Sequence, residues 1–211
     1  MSKLRNKPSL LTGGRRKESE DRHPTDYYPT PRCSTLALIE SGLLGDTSND
    51  TLLEPCAGTG WVAEVLSPYF KETIATDKYK YDFDYVFDVG IVDYLTVEFH
   101  NIDWIITNPP YDRQLLQPII DKSLQEANKG IAMFLKLTYL ESIGRYEFFT
   151  NNSHLKHVLV FSNRQPMRKN GIDNGESNAI AYAWYIWDKS YIGNPTIHWA
   201  NNRDECNKIN E

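Results

Sequence analysis

Short apolar segments that resemble buried strands alternate with amphipathic helical segments along most of the chain, and this alternation most constrains the fold. It is typical of a parallel sheet with helices on both faces, because parallel strands need a crossover connection. The last two strand patterns have no helix pattern between them, which predicts an antiparallel final strand. Seven strands are expected, at residues 51–55, 73–77, 85–89, 103–107, 131–136, 157–162 and 179–187. The predicted class is therefore α/β, with a mostly parallel seven-stranded sheet and an antiparallel last strand.

Length and composition favour one globular domain. The chain has 211 residues, of which 40% are apolar and 24% charged, so it can bury a sizeable core. We expect the domain at residues 26–200, between a flexible basic arm at 1–25 and a polar tail at 201–211. No apolar run approaches the ~20 residues of a membrane span, and the first residues lack the apolar middle of a secretory signal.

The cysteines are few and scattered. Cys33, Cys56 and Cys206 have no Cys-x-x-Cys spacing, which argues against a disulfide framework and against a structural zinc site. We therefore expect no bound metal. The same pattern favours a reducing compartment, and we expect a cytoplasmic protein.

Charge is unevenly distributed along the chain. The formal net charge is −5, yet residues 1–32 hold eight basic and four acidic side chains. A second basic cluster, Arg164, Arg168 and Lys169, lies in the polar loop 163–177. Solvated surface is one interpretation of both clusters. Contact with nucleic-acid phosphates is the alternative, provided that the clusters flank an active site.

The first predicted strand leads into a glycine turn with the sequence EPCAGTG, residues 54–60. Gly58 and Gly60 would let the backbone approach a ligand closely, and the helix that follows would offer free N–H groups. The turn matches neither the full dinucleotide-binding pattern nor the P-loop pattern, so a dinucleotide or nucleoside-triphosphate site is poorly supported.

Two aspartates follow the next two strands at the same rim of the sheet. Asp77 ends the second strand, where dinucleotide-binding folds hold ribose hydroxyls, although a turn or cap carboxylate is also common there. Asp93 could receive an adenine amino group or begin a turn. Together with the glycine turn, Asp77 favours a nucleoside-containing cofactor.

The fourth predicted strand ends in Asn108-Pro109-Pro110-Tyr111. Proline cannot continue a central ladder, and it restricts the residue before it to extended conformations. The tetrapeptide is therefore predicted to lie at the mouth of the strand, with the Asn108 and Tyr111 side chains in a fixed geometry.

Taken in order, the segments YYPTPR, EPCAGTG, VDYL and TNPPY resemble those of S-adenosylmethionine-dependent amino-methyltransferases. They look most like the small phage and prophage type of DNA adenine-N6 methyltransferase, over residues 26–199. The resemblance implies a Rossmann-like class I methyltransferase fold and S-adenosylmethionine as cofactor, with S-adenosylhomocysteine as product. It also implies a role in DNA methylation, such as protection of phage DNA against restriction.

The resemblance assigns catalysis to Asn108, Pro109, Pro110 and Tyr111. The Asn108 side-chain oxygen and the Pro109 carbonyl are suited to accept the two N–H groups of an exocyclic amine, and Tyr111 to stack on the base. Glu54 is implied at the amino-acid part of the cofactor, with Tyr28 and Thr30 closing over its methionine end. The full set of residues implied for the cofactor is Tyr28, Thr30, Glu54, Pro55, Gly58, Gly60, Asp77 and Asp93.

The substrate implied by the resemblance is an adenine flipped out of DNA, with Arg164, Arg168 and Lys169 as candidates for phosphate contact. No segment suggests a target-recognition domain, so the expected sequence preference is short or loose. One alternative keeps the chemistry but transfers the methyl group to RNA adenine or to a protein glutamine amide. Another is a non-catalytic nucleic-acid-binding module, which an intact Asn-Pro-Pro-Tyr disfavours.

Overall fold

The computed structural model describes residues 27–151, 154–171 and 179–209. The predicted arm at 1–25 and residues 172–177 of the basic loop lie outside these residues. The described part contains eight strands: β1 (Thr51–Glu54), β2 (Glu72–Asp77), β3 (Val89–Ile91), β4 (Trp104–Thr107), β5 (Gly130–Lys136), β6 (Leu155–Phe161), β7 (Tyr182–Asp188) and β8 (Thr196–Ala200). Its α-helices are α1 (Arg32–Glu40), α2 (Trp61–Leu66), α3 (Arg113–Glu126), α4 (Tyr146–Asn151) and α5 (Arg203–Ile209).

All eight strands form one sheet in the order β3-β2-β1-β4-β5-β7-β6-β8. Strands β1 to β5 pair in parallel, and β7 runs antiparallel to both of its neighbours, β5 and β6. The predicted α/β class and mostly parallel sheet are confirmed. The sheet has one strand more than the expected seven, because β8 pairs in parallel with β6 at the edge. Ile197 and Trp199 of β8 are exposed, so this strand lacks the buried face that makes a strand pattern visible.

The third strand begins at Val89 rather than at the predicted residue 85. The segment before it covers the glycine turn instead of pairing with β2. Val86 N donates to Thr59 O at 3.0 Å, and Phe87 packs against Gly60. The apolar side chains of residues 85–88 therefore pack within a loop. From the sequence pattern alone, such a loop cannot be distinguished from a strand.

The core lies on both faces of the sheet. Leu52 and Ile106 pack with apolar side chains of α1 and α2, whereas Leu53 and Ile105 pack with those of α3. Successive residues of a strand point to opposite faces, so the apolar pairs Leu52–Leu53 and Ile105–Ile106 supply both layers. Burial on both faces explains why these strands are continuously apolar.

The C-terminal segment is folded onto α1 and does not form the predicted tail. Helix α5 packs on α1, and Cys206 of α5 forms a disulfide with Cys33 of α1. Asn202 Nδ2 donates to Cys33 O at 3.0 Å and to Gln165 Oε1 at 3.0 Å. The inference from cysteine spacing against disulfides was wrong for this pair, because residues 173 positions apart meet only through helix packing. With Cys33 and Cys206 bonded, the cysteines no longer favour a reducing compartment.

No helix in the described residues is long and apolar enough to cross a membrane.

Candidate active site

A cleft of about 680 Å³ opens at the carboxyl ends of β1, β2, β4 and β5. The chain reverses its direction across the sheet between β1 and β4, and open α/β sheets bind ligands at such switch points. The volume lies within the roughly 300–1,000 Å³ of small-molecule sites. We call the side formed by Glu54, Asp77 and Asp93 the acidic half, and the side formed by residues 108–111 and Lys136 the amide half.

Glu54 is the last residue of β1 and is only 1% exposed. Its Oε2 accepts a hydrogen bond from Ala63 N at 2.7 Å, which satisfies a free N–H in the first turn of α2. It takes part in none of the ion pairs found among the described residues. Burial raises its pKa well above the usual glutamate range. A cationic ligand group would supply the counter-charge that this buried carboxylate lacks.

Asp77 ends β2 and is also buried. Its Oδ2 accepts from Gly58 N and its Oδ1 from Tyr79 N, both at 2.8 Å. Burial raises the pKa of this carboxyl, while hydrogen bonds from the backbone N–H groups of Tyr79, Gly58 and Lys78 lower it. The two oxygens together have about four lone-pair sites, so the carboxylate can still accept a hydrogen bond from a ligand hydroxyl.

The two glycines of the turn have different surroundings. Gly58 lines the cleft and Gly60 does not. A Cβ on Gly58 would lie 2.2 Å from Tyr27 Cε2, and a Cβ on Gly60 would lie 2.5 Å from Phe87 Cβ. Both have positive φ, at +58° and +95°. Packing against Tyr27 and Phe87 therefore requires glycine at both positions. Gly60 was predicted to contact the cofactor, but it does not line the cleft.

The segment before α1 closes one wall of the cleft. Tyr28, which is 44% exposed, and Thr30, which is buried, both line the cleft. The preceding Tyr27 was not among the predicted site residues, yet it lines the cleft, its ring covers Gly58 and its hydroxyl lies 2.7 Å from Thr59 Oγ1. The sequence does not indicate which of the two adjacent tyrosines packs over Gly58.

Asp93 lines the cleft and also begins a turn. Its Oδ1 accepts from Leu95 N at 3.1 Å, and its Oδ2 lies 2.8 Å from Lys78 Nζ. The hydrogen bond from Lys78 lowers the pKa of this carboxyl. Asp93 is thus ionised and already paired, which distinguishes it from the unpaired Glu54.

Asn108 follows β4, and two hydrogen bonds fix the orientation of its amide. Its Nδ2 donates to Tyr28 O at 3.3 Å, and its Oδ1 accepts from Tyr111 Oη at 2.6 Å. Among the described residues no group donates to Pro109 O. The mouth of β4 therefore presents one amide oxygen with a remaining lone pair and one backbone carbonyl without a protein donor.

Tyr111 is held by its hydroxyl as well as by its ring. Its Oη lies 3.0 Å from Phe134 O and 2.6 Å from Asn108 Oδ1, and its ring centroid lies 6.0 Å from that of Tyr182. Burial raises its pKa well above the usual tyrosine range, so the hydroxyl remains a donor. Pro109 is buried and Pro110 exposed, and both line the cleft together with Asn108 and Tyr111.

Further residues line the cleft, and three of them, Met167, Ile180 and Tyr182, carried no sequence signal that singled them out. Met167, Ile180 and Tyr182 line the cleft from the loop and strand that follow β6, and Lys136 lines it from the end of β5. Lys136 was detectable in principle, since it ends a predicted parallel strand at the same rim as Asn108.

The predicted basic cluster does not line the cleft. Arg164 and Lys169 are exposed, whereas Arg168 lines a small separate cavity together with Cys33 and Cys206. The loop reaches the cleft through Met167.

The cleft offers neither an ionised thiol nor, within the described ranges, a cluster of three side chains that could hold a metal ion. Its cysteine, Cys56, is outside the disulfide. Burial and the nearby Asp77 and Glu54 carboxylates raise the pKa of Cys56, so its thiol stays protonated. Covalent catalysis by this cysteine is therefore disfavoured.

No protein-family model and no curated protein matches the sequence. Solved structures do match the fold. An RNA methyltransferase candidate from Pyrococcus horikoshii aligns with a TM-score of 0.56 at 18% identity, over 77% of this chain and 86% of that one. A dimethyladenosine transferase from Plasmodium falciparum aligns with a TM-score of 0.52 at 18% identity, over 77% and 63%.

A type I restriction-modification methyltransferase subunit from Streptococcus thermophilus aligns with a TM-score of 0.55 at 13% identity, over 86% of this chain. The chain spans 48% of that subunit's length. These likenesses show the Rossmann-like class I methyltransferase fold and confirm the predicted fold class. At such identities they show the fold alone.

Proposed function

We propose that this protein transfers a methyl group from S-adenosylmethionine to the exocyclic N6 of adenine in DNA, with short or loose sequence specificity. The observation that carries the proposal is the Asn108 amide, fixed by Tyr28 O and Tyr111 Oη at the rim of a cleft whose other half is acidic. A pocket of this kind is suited to an amine acceptor on one side and a cationic donor on the other.

The residues of the acidic half fit the cofactor. S-adenosylmethionine carries an ammonium and a sulfonium, and Glu54 is a buried carboxylate with no basic partner among the described residues. We assign Glu54 to the ammonium group, Asp77 to the ribose hydroxyls and Asp93 to the adenine end. When bound, the cofactor supplies an electrophilic methyl group on its sulfonium.

The amide half activates the acceptor. An exocyclic amine is a weak nucleophile because its lone pair is delocalised into the ring. Asn108 Oδ1 has one lone pair left after accepting from Tyr111, and Pro109 O has no protein donor in the described part of the chain. These two acceptors can take the two N–H groups of the amine and draw its nitrogen toward tetrahedral geometry. Because both are fixed before the substrate arrives, little reorganisation is needed during transfer.

Tyr111 serves this chemistry through its hydroxyl as well as through its ring. Its hydroxyl donates to Asn108 Oδ1. The Tyr28 carbonyl prevents the amide from flipping, since a flipped amide would set Oδ1 against that carbonyl oxygen and direct its NH2 group at the substrate amine. The ring, packed toward Tyr182, remains a stacking surface at the cleft wall, as the resemblance implies.

DNA is favoured over RNA adenine and over a protein glutamine amide by the resemblance to the phage-type enzymes. The similar modification subunit and dimethyladenosine transferase are consistent with a nucleic-acid acceptor. We retain Arg164, Arg168 and Lys169 as residues that contact phosphates outside the cleft.

The experiment that tests the proposal supplies methyl-labelled cofactor with duplex DNA, single-stranded DNA, tRNA, rRNA and protein extract in parallel. Label in N6-methyladenine of DNA supports the proposal. Label only in RNA or only in protein would show that the acceptor is that molecule and not DNA. Cofactor binding without any transfer supports a non-catalytic module. Asn108→Ala should lower the transfer rate by about 10²–10³-fold and keep cofactor binding. Asn49→Ala is the matched control, because Asn49 is exposed in the turn before β1, at the opposite end of that strand.

A further inference from the structure

Lys136 is a lysine of the cleft with no assigned role. It ends β5, is half-buried and lines the amide half. Its Nζ lies 5.4 Å from the centre of the Tyr111 ring. If the role of Lys136 were to pair with a carboxylate, a carboxylate oxygen would lie within a few ångströms of its Nζ. Lys136 takes part in none of the ion pairs found in the described residues.

Most of the acidic side chains of the cleft lie away from Lys136. Glu54 and Asp77 lie in the acidic half, and Lys78, the other lysine that lines the cleft, pairs with Asp93. The exposed Asp112 also lines the cleft next to Tyr111, where its Oδ1 caps α3 by accepting from Gln114 N. Lys136 forms no ion pair with it or with any other described residue, and so places a positive charge at the end where the proposed function puts the acceptor. Such a field favours a ligand pair in which the methyl donor is cationic and the acceptor is anionic.

We propose that Lys136 binds a backbone phosphate adjacent to the target adenine and thereby selects a nucleotide acceptor. The proposal rests on the proposed function, since it takes the amide half as the acceptor pocket. An adenine within a nucleic acid brings a negative phosphodiester close to its base, whereas a glutamine amide brings no charge. A lysine ammonium on a flexible stem is a common phosphate ligand.

The test compares oligonucleotide binding by Lys136→Gln, Lys136→Arg and the wild type over a range of salt concentrations. The probe is a duplex with a single adenine opposite an abasic site, which fixes the target position and makes it easy to flip. Loss of one phosphate contact should weaken binding about eightfold at 0.1 M salt and reduce the salt slope by about 0.9. Lys136→Arg should retain most of the binding.

Lys71→Gln is the matched control. Lys71 is exposed and immediately precedes β2, so it lies at the amino end of the strands, away from the cleft. It removes the same charge, and it should leave both affinity and salt slope close to the wild-type values. Thermal unfolding of each variant checks that a loss of binding does not arise from misfolding.

A neutral methylphosphonate at each phosphate next to the target adenine identifies the contact. One such replacement should weaken binding by the wild type about as much as Lys136→Gln does, and should have little further effect in that variant. The same probe made in RNA shows whether the phosphate contact distinguishes the two nucleic acids.

The outcomes separate this inference from the proposed function. If the wild type methylates DNA but Lys136→Gln binds with wild-type affinity and slope, the inference is overturned and the proposed function stands. If the wild type methylates protein amides and no nucleic acid, both are overturned. If no acceptor is methylated, the proposed function fails, and the methylphosphonate result alone decides whether Lys136 is a phosphate ligand.

Discussion

Replacement of Gly58 by alanine tests why a glycine lies in the wall of the cleft. Gly58 has φ +58°, and a Cβ there would lie 2.2 Å from Tyr27 Cε2. The left-handed backbone costs alanine about 1 kcal/mol. The overlap with Tyr27 forces this buried ring to move and strains its contact with Thr59 Oγ1, which adds about 2–3 kcal/mol. We expect a total loss of about 3–4 kcal/mol in the free energy of unfolding.

Gly42→Ala provides the matched comparison. Gly42 has φ +68°, and a Cβ there would meet no atom within 4 Å, so only the backbone cost of about 1 kcal/mol applies. Urea unfolding of both variants should therefore separate them by about 2–3 kcal/mol. A double-mutant cycle with Tyr27→Ala should recover most of this difference as coupling energy.

Equal stability losses in the two glycine variants would refute the reasoning. If Gly58→Ala were as mild as Gly42→Ala but lost affinity for a cofactor analogue, the space over Gly58 would belong to the ligand rather than to Tyr27.

Three further predictions follow from the geometry. Tyr111→Phe removes the hydroxyl that donates to Asn108 Oδ1, so we expect about 1 kcal/mol less stability and a kcat reduced about tenfold, with unchanged cofactor affinity by calorimetry. Wild-type kcat in that variant would exclude a positioning role for the hydroxyl. Because burial raises the pKa of Glu54, stability contributed by its protonated form is fully present below the unfolded value near 4.5 and is lost as pH rises through the folded value. Glu54→Gln should thus match the wild type in unfolding free energy at low pH, become the more stable of the two at higher pH, and bind the cationic cofactor more weakly. A pH-independent difference would contradict this. Cys206→Ser should lower the free energy of unfolding by about 3–5 kcal/mol, because the disulfide to Cys33 closes most of the chain into a loop. The wild type in a reductant should show the same loss, and a wild type insensitive to reductant would show that the pair is not bonded.

The fold was largely predictable because its strands are buried on both faces and carry a continuous apolar signal. Burial of apolar side chains also explains the two strand predictions that were wrong. Strand β8 exposes Ile197 and Trp199, and so it has no buried face to reveal it. Phe87 is apolar because it packs on Gly60, so its segment resembled a strand without pairing as one.

The candidate site was predictable where chemistry and strand ends coincide. Glu54 and Asp77 end two parallel strands and Asn108 follows a third, and topology brings such positions to one rim. Local contacts were not predictable. Gly60 packs against Phe87 and does not line the cleft, and the hydroxyl of Tyr111 bonds to Asn108, a contact that depends on the path of the Pro-Pro turn.

The central claim is that the Asn108 side chain activates an adenine amine for methyl transfer. The most direct measurement is the single-turnover rate of N6-methyladenine formation in DNA by Asn108→Ala, with cofactor affinity determined in parallel. The account predicts a rate lower by about 10²–10³-fold, as expected for loss of one preorganised hydrogen-bonding group, and unchanged cofactor affinity. Transfer at the wild-type rate would contradict it.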